Sequence, residues 1–243
     1  MDSIDAYVGR YSLESLLSAD LLAALSLVRR SVGELLIRSG APVRDLLFLV
    51  EGKTKSYSTL DNGQSVLAAF ALPFDVFGEA ELFSTDRYTL SVEAIDDCVC
   101  LALPVSAIKK SAERNCRLFM YLCGRLGSKL SNRIIAESIN LRYPVERRLA
   151  SYLLAAADEE GGIRGAVDLG ELADFIGASY RQMARVLKRF RAEGLMDGGR
   201  GVVRVLDRAA LEGYAADRYP ASGAPGPRDF LIEGTRRRRN PAS

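Results

Sequence analysis

The sequence predicts an α+β chain in three parts: an N-terminal antiparallel β-roll, one long helix, and a C-terminal winged helix-turn-helix. Three observations carry that prediction. Residues 32–103 break into short apolar runs punctuated by Gly, Asp, Asn and Pro every 8–12 residues, the rhythm of small antiparallel β structure. Residues 115–141 hold helical spacing without a proline, a rod of about 40 Å at 1.5 Å per residue. Residues 168–193 place a small residue, a turn glycine and a cap at the offsets of two crossed helices.

In chain order, residues 12–28 (SLESLLSADLLAALSLV) come first. Leu13, Leu16, Leu17, Leu21, Leu25 and Val28 recur at steps of three and four, so one amphipathic helix is expected, with Ser12 as its N-cap. In the roll, Asn62-Gly63 between two strand-like runs marks a hairpin. SVEAIDDCVCLALP is expected to close the roll with one more strand pair. Val105 to Lys110 reads as a short helix. Within 115–141, Phe119, Leu122, Leu126, Leu130, Ile134 and Leu141 lie near one stripe, interrupted at Ser138. Such a stripe serves either a second helix or the roll itself. Pro144 disfavours helical backbone at Tyr143, which sets a boundary near 141–145. Residues 145–157 form a further amphipathic helix, and 195–206 read as strand, Gly-rich turn and strand. From Pro220 the chain is rich in Pro, Gly and Ser and runs into Arg236–Arg239, the composition of a flexible tail. The expected domains are therefore 1–114 (roll), 115–143 (long helix and hinge), 144–214 (winged helix-turn-helix) and 215–243 (tail).

Composition narrows the chemistry. The 243 residues are 48% hydrophobic and 26% charged, an ordinary balance for a folded chain. The absence of histidine excludes Ser-His-Asp and Cys-His nucleophiles, His-containing zinc sites and His general bases. No Walker-type loop or paired metal carboxylates are present, so the chain is not expected to be an enzyme. The net charge of +2 is unevenly spread: residues 1–141 carry 15 Lys+Arg against 17 Asp+Glu, and residues 142–243 carry 18 against 14. A basic C-terminal half suits a polyanionic partner. The apolar run Val66 to Phe74 falls far short of the ~20 residues a bilayer needs, and the acidic start MDSID is not a signal-peptide start. A cytoplasmic, membrane-free location is expected, with the four cysteines as thiols.

The segment DLGELADFIGASYRQMARVLKRFRAEGL carries the function. Leu169, Leu172, Ala173, Phe175 and Ile176 face inward on a first helix. Gly177 makes the turn. Ser179 and Gln182 form an S-x-x-Q capping box, and Met183, Val186, Leu187 and Phe190 supply the buried stripe of the second helix. Its other face presents Tyr180, Arg181, Gln182, Arg185, Lys188, Arg189 and Arg191. Residues near the start of such a helix reach base edges, and cations further along meet phosphates. Arg181 and Arg185, four apart, could each fork onto guanine, and Gln182 could read adenine. Arg200, with Arg204 nearby, sits at the tip of a wing suited to the phosphate backbone. The competing reading is a solvated basic face on a helix-turn-helix that serves only as scaffold for a ligand- or redox-sensing module.

With these parts in order, residues 13–212 resemble the CRP/FNR superfamily of bacterial transcription regulators, the cAMP receptor protein class. The roll looks like a cyclic-nucleotide-binding-type domain. FGEAELF at 77–83 resembles the start of the phosphate cassette, and GASYRQMARVLKRFRAEGLM resembles the recognition-helix signature. The resemblance implies a homodimer along the long helix through Phe119, Leu122, Leu126, Leu130 and Ile134. It also implies a palindromic double-stranded operator, with RNA polymerase as a further candidate partner. It places an effector pocket at Gly78, Glu79, Arg87, Tyr88, Thr89 and Arg133. In cAMP-binding members an Arg followed by Ser or Thr holds the cyclic phosphate. Here Thr89 fits, but Tyr88 stands at the Arg position and Arg87 is displaced by one residue, which on a strand turns it to the other face. The pair that meets adenine appears as Arg133-Ile134. The effector is therefore a small molecule other than cAMP. Many members also carry Glu where this chain has Arg181, so the operator should depart from the common one. Oxygen-sensing members hold an iron–sulfur cluster on N-terminal cysteines plus a central one. This chain has Cys98, Cys100, Cys116 and Cys123 and none earlier, so a cluster, or any other metal site, is not expected. The four thiols stand open between buried structural roles and redox sensing.

Overall fold

Chain entry is governed by short helices. The structure, a computed structural model, describes residues 3–59, 65–110, 115–157, 160–163, 169–199 and 202–215. Helix α1 (Ile4–Tyr11) is capped by Ser3, whose side chain accepts from the Ala6 N–H. It ends at Ser12, which adopts a left-handed backbone, φ 54°. Ser12 is thus the C-cap of α1, not the start of a helix over 12–28. That stretch instead divides into a 3₁₀ turn (Leu13–Ser15), α2 (Ala19–Ala23) and strand β1 (Ser26–Arg30). Leu13, Leu16, Leu17, Leu21 and Leu25 are nevertheless all buried.

The remaining elements are β2 (Leu35–Ile37), β3 (Asp45–Glu51), β4 (Thr54–Thr59), β5 (Ser65–Ala71), β6 (Asp75–Phe77), α3 (Glu81–Ser84), β7 (Ser91–Ala94), β8 (Cys98–Pro104), α4 (Val105–Lys110), α5 (Cys116–Arg142), α6 (Val145–Ala156), β9 (Gly162–Ile163), α7 (Leu169–Ile176), α8 (Tyr180–Ala192), β10 (Met196–Gly199), β11 (Val202–Val205) and α9 (Arg208–Tyr214). No helix among the described residues is long and apolar enough to cross a membrane.

The chain divides into two compact units. The first takes residues 1–54 and 71–128. Its main sheet has the order β1-β8-β3-β6, all antiparallel. Both faces of this sheet are covered, so β3 and β8 read as unbroken apolar runs. Alternation still decides the partners. Leu46, Phe48, Val50, Val99, Leu101 and Leu103 meet α1, α2 and the start of α5 through Leu118, Tyr121 and Leu122. Leu47, Leu49, Cys98, Cys100 and Ala102 meet Ile37, Ala71, Phe77, Val92 and Ala94. Strands β7 and β8 do not pair with one another as the sequence suggests. β7 pairs with β2, and β8 lies between β1 and β3. Within the unit a buried ion pair joins Arg125 Nη2 to Asp75 Oδ1 at 3.0 Å.

The second unit takes residues 55–70 and 129–222. It therefore contains the neighbouring strands β4 and β5 together with the C-terminal half of α5 and everything after it. Packing accounts for this partition. Phe70 of β5 stacks into an aromatic cluster with Tyr152 of α6 and Phe175 of α7, with centroids 5.8–6.3 Å apart. Lys55 pairs with Glu171 at 2.5 Å. The Asn62-Gly63 turn between β4 and β5 lies outside the described residues. Helix α5 runs through to Arg142, and α6 begins after Pro144.

The stripe on α5 is where the sequence reading changes most. Leu122 is wholly buried in the roll, Phe119 packs partly against the same core, and Leu126 is half-buried, whereas Leu130 and Ile134 are exposed. The reason is geometric. Successive steps of four overshoot the 3.6-residue turn, so the predicted stripe winds from the roll-facing side to the outside.

Candidate nucleic-acid interface

The helix-turn-helix is assembled as its sequence dictates. Ala173 is almost fully buried where α7 and α8 cross, and Gly177 adopts φ 69°, a conformation costly for residues with a Cβ. The turn is held from outside by a residue the sequence reading did not single out. Arg148 of α6, itself buried, donates through Nη1 to the carbonyls of Ile176 and Gly177, the latter at 3.0 Å. Asn140, near the end of α5, donates to the Phe175 carbonyl at 3.0 Å. Carbonyls left open where α7 stops are thus met by side chains. An Arg in an amphipathic helix reads as surface; only the turn's unmet carbonyls reveal its role.

Helix α8 opens on a complete capping box. Ser179 Oγ accepts from the Gln182 N–H at 3.3 Å, and Gln182 Oε1 accepts from the Ser179 N–H and from the Ser179 hydroxyl, each at 3.0 Å. Met183, Val186, Leu187 and Phe190 are buried as expected. The box has a chemical consequence. Gln182 needs a free oxygen and a free N–H₂ to grip adenine with two bonds. Its oxygen is committed to the cap, so only a donor remains for a base.

The outward face sorts itself by partner. Tyr180, Arg181, Arg185 and Lys188 are exposed and make no hydrogen bond or ion pair among the described residues. Arg189 is different: it lies 3.6 Å from Glu146 and 3.5 Å from Glu193, and stacks 5.4 Å from the Tyr214 ring centre. That cation is spent inside the domain. In the wing, β10 pairs with β11, which pairs with β9. Arg204 is exposed and reaches the Glu160 carbonyl at 3.5 Å, and Arg200 lies outside the described residues.

The cassette residues of the first unit are fixed by hydrogen bonds to one another and to neighbouring carbonyls. Gly78 has φ 92°, and a Cβ there would meet the Asp45 carbonyl at 3.1 Å and Tyr88 at 3.3 Å, so only glycine fits. Glu79 and Glu81 are buried. The Glu81 carboxylate accepts both the Thr89 N–H, at 3.0 Å, and the Thr89 hydroxyl, at 2.5 Å. Tyr88 donates its hydroxyl to the Asp45 carbonyl at 2.6 Å, and burial pushes its ionisation up. Arg87 donates to the Gly40 carbonyl at 2.7 Å on the exposed side. Arg133 belongs to the second unit, where it pairs with Glu137 at 2.8 Å and donates to the Ala68 carbonyl at 3.1 Å.

Comparison with known proteins agrees with this layout. Residues 27–115 match the cyclic nucleotide-binding domain, and residues 147–214 match the Crp-like helix-turn-helix domain. Regulatory protein YeiL of Escherichia coli O157:H7 is 30% identical over 186 residues, covering 76% of this chain and 83% of the relative. The chain belongs to the CRP/FNR family of transcription regulators. Transcriptional regulator LdrP of Thermus thermophilus is 28% identical over 190 residues, covering 75% of this chain and 93% of the relative. Among solved structures, a CRP-family transcriptional regulator from Thermus thermophilus matches with a TM-score of 0.69 at 25% identity, covering 80% of this chain and 99% of that one. FixK2 from Bradyrhizobium japonicum shares the fold, with a TM-score of 0.68 at 22% identity over 79% of this chain and 98% of that one. As a CRP/FNR protein, this chain is a regulator that joins a DNA-binding helix-turn-helix to a sensing domain of the cyclic nucleotide-binding type. Regulators of this kind typically act as dimers.

Proposed function

We propose that this chain is a cytoplasmic, dimeric, sequence-specific DNA-binding regulator in which Arg181 and Arg185 read base edges while Ser179, Tyr180, Lys188 and the Arg200 wing hold phosphates. The observation that carries the reading is the set of cations, unpartnered among the described residues, on the exposed face of a fully capped helix. Such a helix presents guanidinium forks without first breaking internal bonds, which suits guanine O6 and N7. Two copies related by a two-fold axis require a palindromic operator with half-sites about one helical turn apart. The working domains are a sensor over 1–114, a dimerisation helix and hinge over 115–143, and a DNA-binding part over 144–214.

The signal is a small molecule other than cAMP. Thr89 offers its N–H and hydroxyl to Glu81, and Arg87 is drawn to the Gly40 carbonyl. Tyr88 at the arginine position leaves a cyclic phosphate without its bidentate partner, which supports this reading.

Selection of bound sequences from random duplex DNA tests the proposal. It should return one palindrome whose binding weakens steeply with salt. Arg181→Ala and Arg185→Ala should each cost about 1–3 kcal/mol, roughly 5- to 150-fold, and relax preference at one base pair per half-site. Lys188→Ala should weaken all sequences alike and flatten the salt dependence. Wild-type binding by both arginine variants would overturn the assignment.

A further inference from the structure

The outward face of α5 carries a pattern that shares Leu130, Ile134 and Leu141 with the predicted stripe but starts from a different side of the helix. Counting from its first residue in alternating steps of four and three gives Cys116, Met120, Cys123, Gly127, Leu130, Ile134, Glu137 and Leu141, and every one is exposed. Met120 is 64%, Leu130 63%, Ile134 55% and Leu141 90% exposed. At 3.6 residues per turn, these positions centre half a turn from Leu118, Tyr121, Leu122 and Arg125, which face the roll. Strict 4–3 spacing is the seam of a two-stranded coiled coil, in which each position meets its own copy on a parallel partner.

A second copy of this chain is the occupant that fits. A parallel coiled coil sets each residue before an upper seam position against the partner residue five places on. The pairs are Phe119 with the partner subunit's Gly124, Leu126 with the partner subunit's Ser131, and Arg133 with the partner subunit's Ser138. None of these flanking pairs opposes like charges; on the seam itself Glu137 meets the partner subunit's Glu137, and Arg133 of the same helix pairs with Glu137 at 2.8 Å. Four large apolar side chains more than half exposed along one rod, Met120, Leu130, Ile134 and Leu141, are the kind of surface a second copy covers, and a two-fold dimer buries about 800 Å² per side.

We infer that Cys123, with Cys116 as a second rung, forms a reversible disulfide with its own copy across this seam, making the helix pair a site of oxidative cross-linking. The inference rests on the dimer proposed above. Facing helices lie about 8–10 Å apart, and Cα atoms sit about 2.3 Å from each axis. Opposed Cα atoms are therefore roughly 3.5–5.5 Å apart, overlapping the roughly 4.4–6.8 Å span of disulfides. Gly127, one step along the seam, has no side chain to hold the helices apart. The chemistry uses a peroxide as two-electron oxidant. One thiolate attacks the O–O bond, becomes a sulfenic acid and releases one water. The partner sulfur then displaces the second water and closes the S–S bond. Two thiols and one peroxide become one disulfide and two waters. Cys98 and Cys100 do not compete, because both are buried. Burial pushes the Cys98 thiol up to about 11 and that of Cys100 higher still.

The test uses the full chain. Sedimentation of the reduced protein gives its assembly state. Hydrogen peroxide treatment, a non-reducing gel and mass spectrometry of linked peptides then give the bond. The expected result is a reduced dimer that peroxide converts to a band at twice the 26.5 kDa chain mass. Cys123 should be linked to the partner subunit's Cys123, and a dithiol should reverse the bond. Cys123→Ser should leave only the Cys116 rung, and Cys116→Ser with Cys123→Ser should abolish the band. A reduced monomer would overturn the dimer reading, and this inference with it. A reduced dimer that peroxide does not cross-link, or a band that survives in the double variant, would overturn the inference alone.

Discussion

Ser179 caps α8, and its proposed contact with DNA phosphate is a second role that substitution can separate from the first. Replacing it with alanine removes the acceptor of the Gln182 N–H but leaves Gln182 Oε1 on the Ser179 N–H. Half of the box is lost, at a cost of about 1 kcal/mol. In a chain of this size that lowers the thermal midpoint by about 2–4 °C. The first turn of α8, which carries Arg181, then opens roughly five times more often. Because the closed turn remains the major state, operator affinity should fall by about two-fold or less. Aspartate behaves in the opposite way. Ser179→Asp keeps a side-chain acceptor at the cap and adds about 0.3–1 kcal/mol of favourable charge at the helix N-terminus. Its midpoint should equal or exceed wild type. On the proposed placement the same carboxylate would face phosphates, so operator affinity should drop ten-fold or more. Differential scanning fluorimetry and fluorescence anisotropy on the selected operator read the two effects. An alanine variant with an unchanged midpoint would refute the capping argument. An aspartate variant that binds like wild type would refute the placement of this helix end against the DNA backbone.

Other substitutions test the packing. Asp75→Asn strands the buried Arg125 cation and should cost about 3–5 kcal/mol in urea unfolding, with much of the loss recovered by pairing Asp75→Leu with Arg125→Met. Leu122→Ala should destabilise the chain by about 2–5 kcal/mol without changing its assembly, whereas Leu130→Ala, on the exposed side, should weaken self-association at little cost to the fold; sedimentation and thermal melts separate the two. Phe175→Ala opens the cluster with Phe70 and Tyr152 and should cost about 3–5 kcal/mol, read as earlier melting.

How far the sequence alone reaches depends on the range of the interaction. The capping box, the left-handed Gly177 and the buried stripe of α8 are local, and all are legible. So are α4, α5 and α6, because spacing and Pro144 settle them. The stretch 12–28 reads wrongly as one long helix because short helices and a strand can bury leucines at the same steps. The positive φ of Ser12 breaks the run, and nothing in the residue type announces it. Helix α1 does have a signal: Ile4, Tyr7, Val8 and Tyr11 follow helical spacing. The membership of β4 and β5 in the second unit depends on contacts about a hundred residues distant, such as Lys55 with Glu171. The split between Arg185 and Arg189 depends in part on an acid brought close by folding, since Glu146 lies on another helix, while Glu193, four residues on, is visible in the sequence.

The alternation along β8 turns Cys98 and Cys100 into a built-in stopwatch. Their sulfurs face the interior of the roll, while the pair on α5 is exposed in the single chain and covered in the proposed dimer. With the α5 pair changed to serine, a maleimide added to the native chain would tag Cys98 and Cys100 only in molecules whose sheet has come apart. Each molecule thereby records in its mass whether it has opened since labelling began. The lifetime of the closed roll, with or without a candidate effector, can be followed without attaching any foreign reporter.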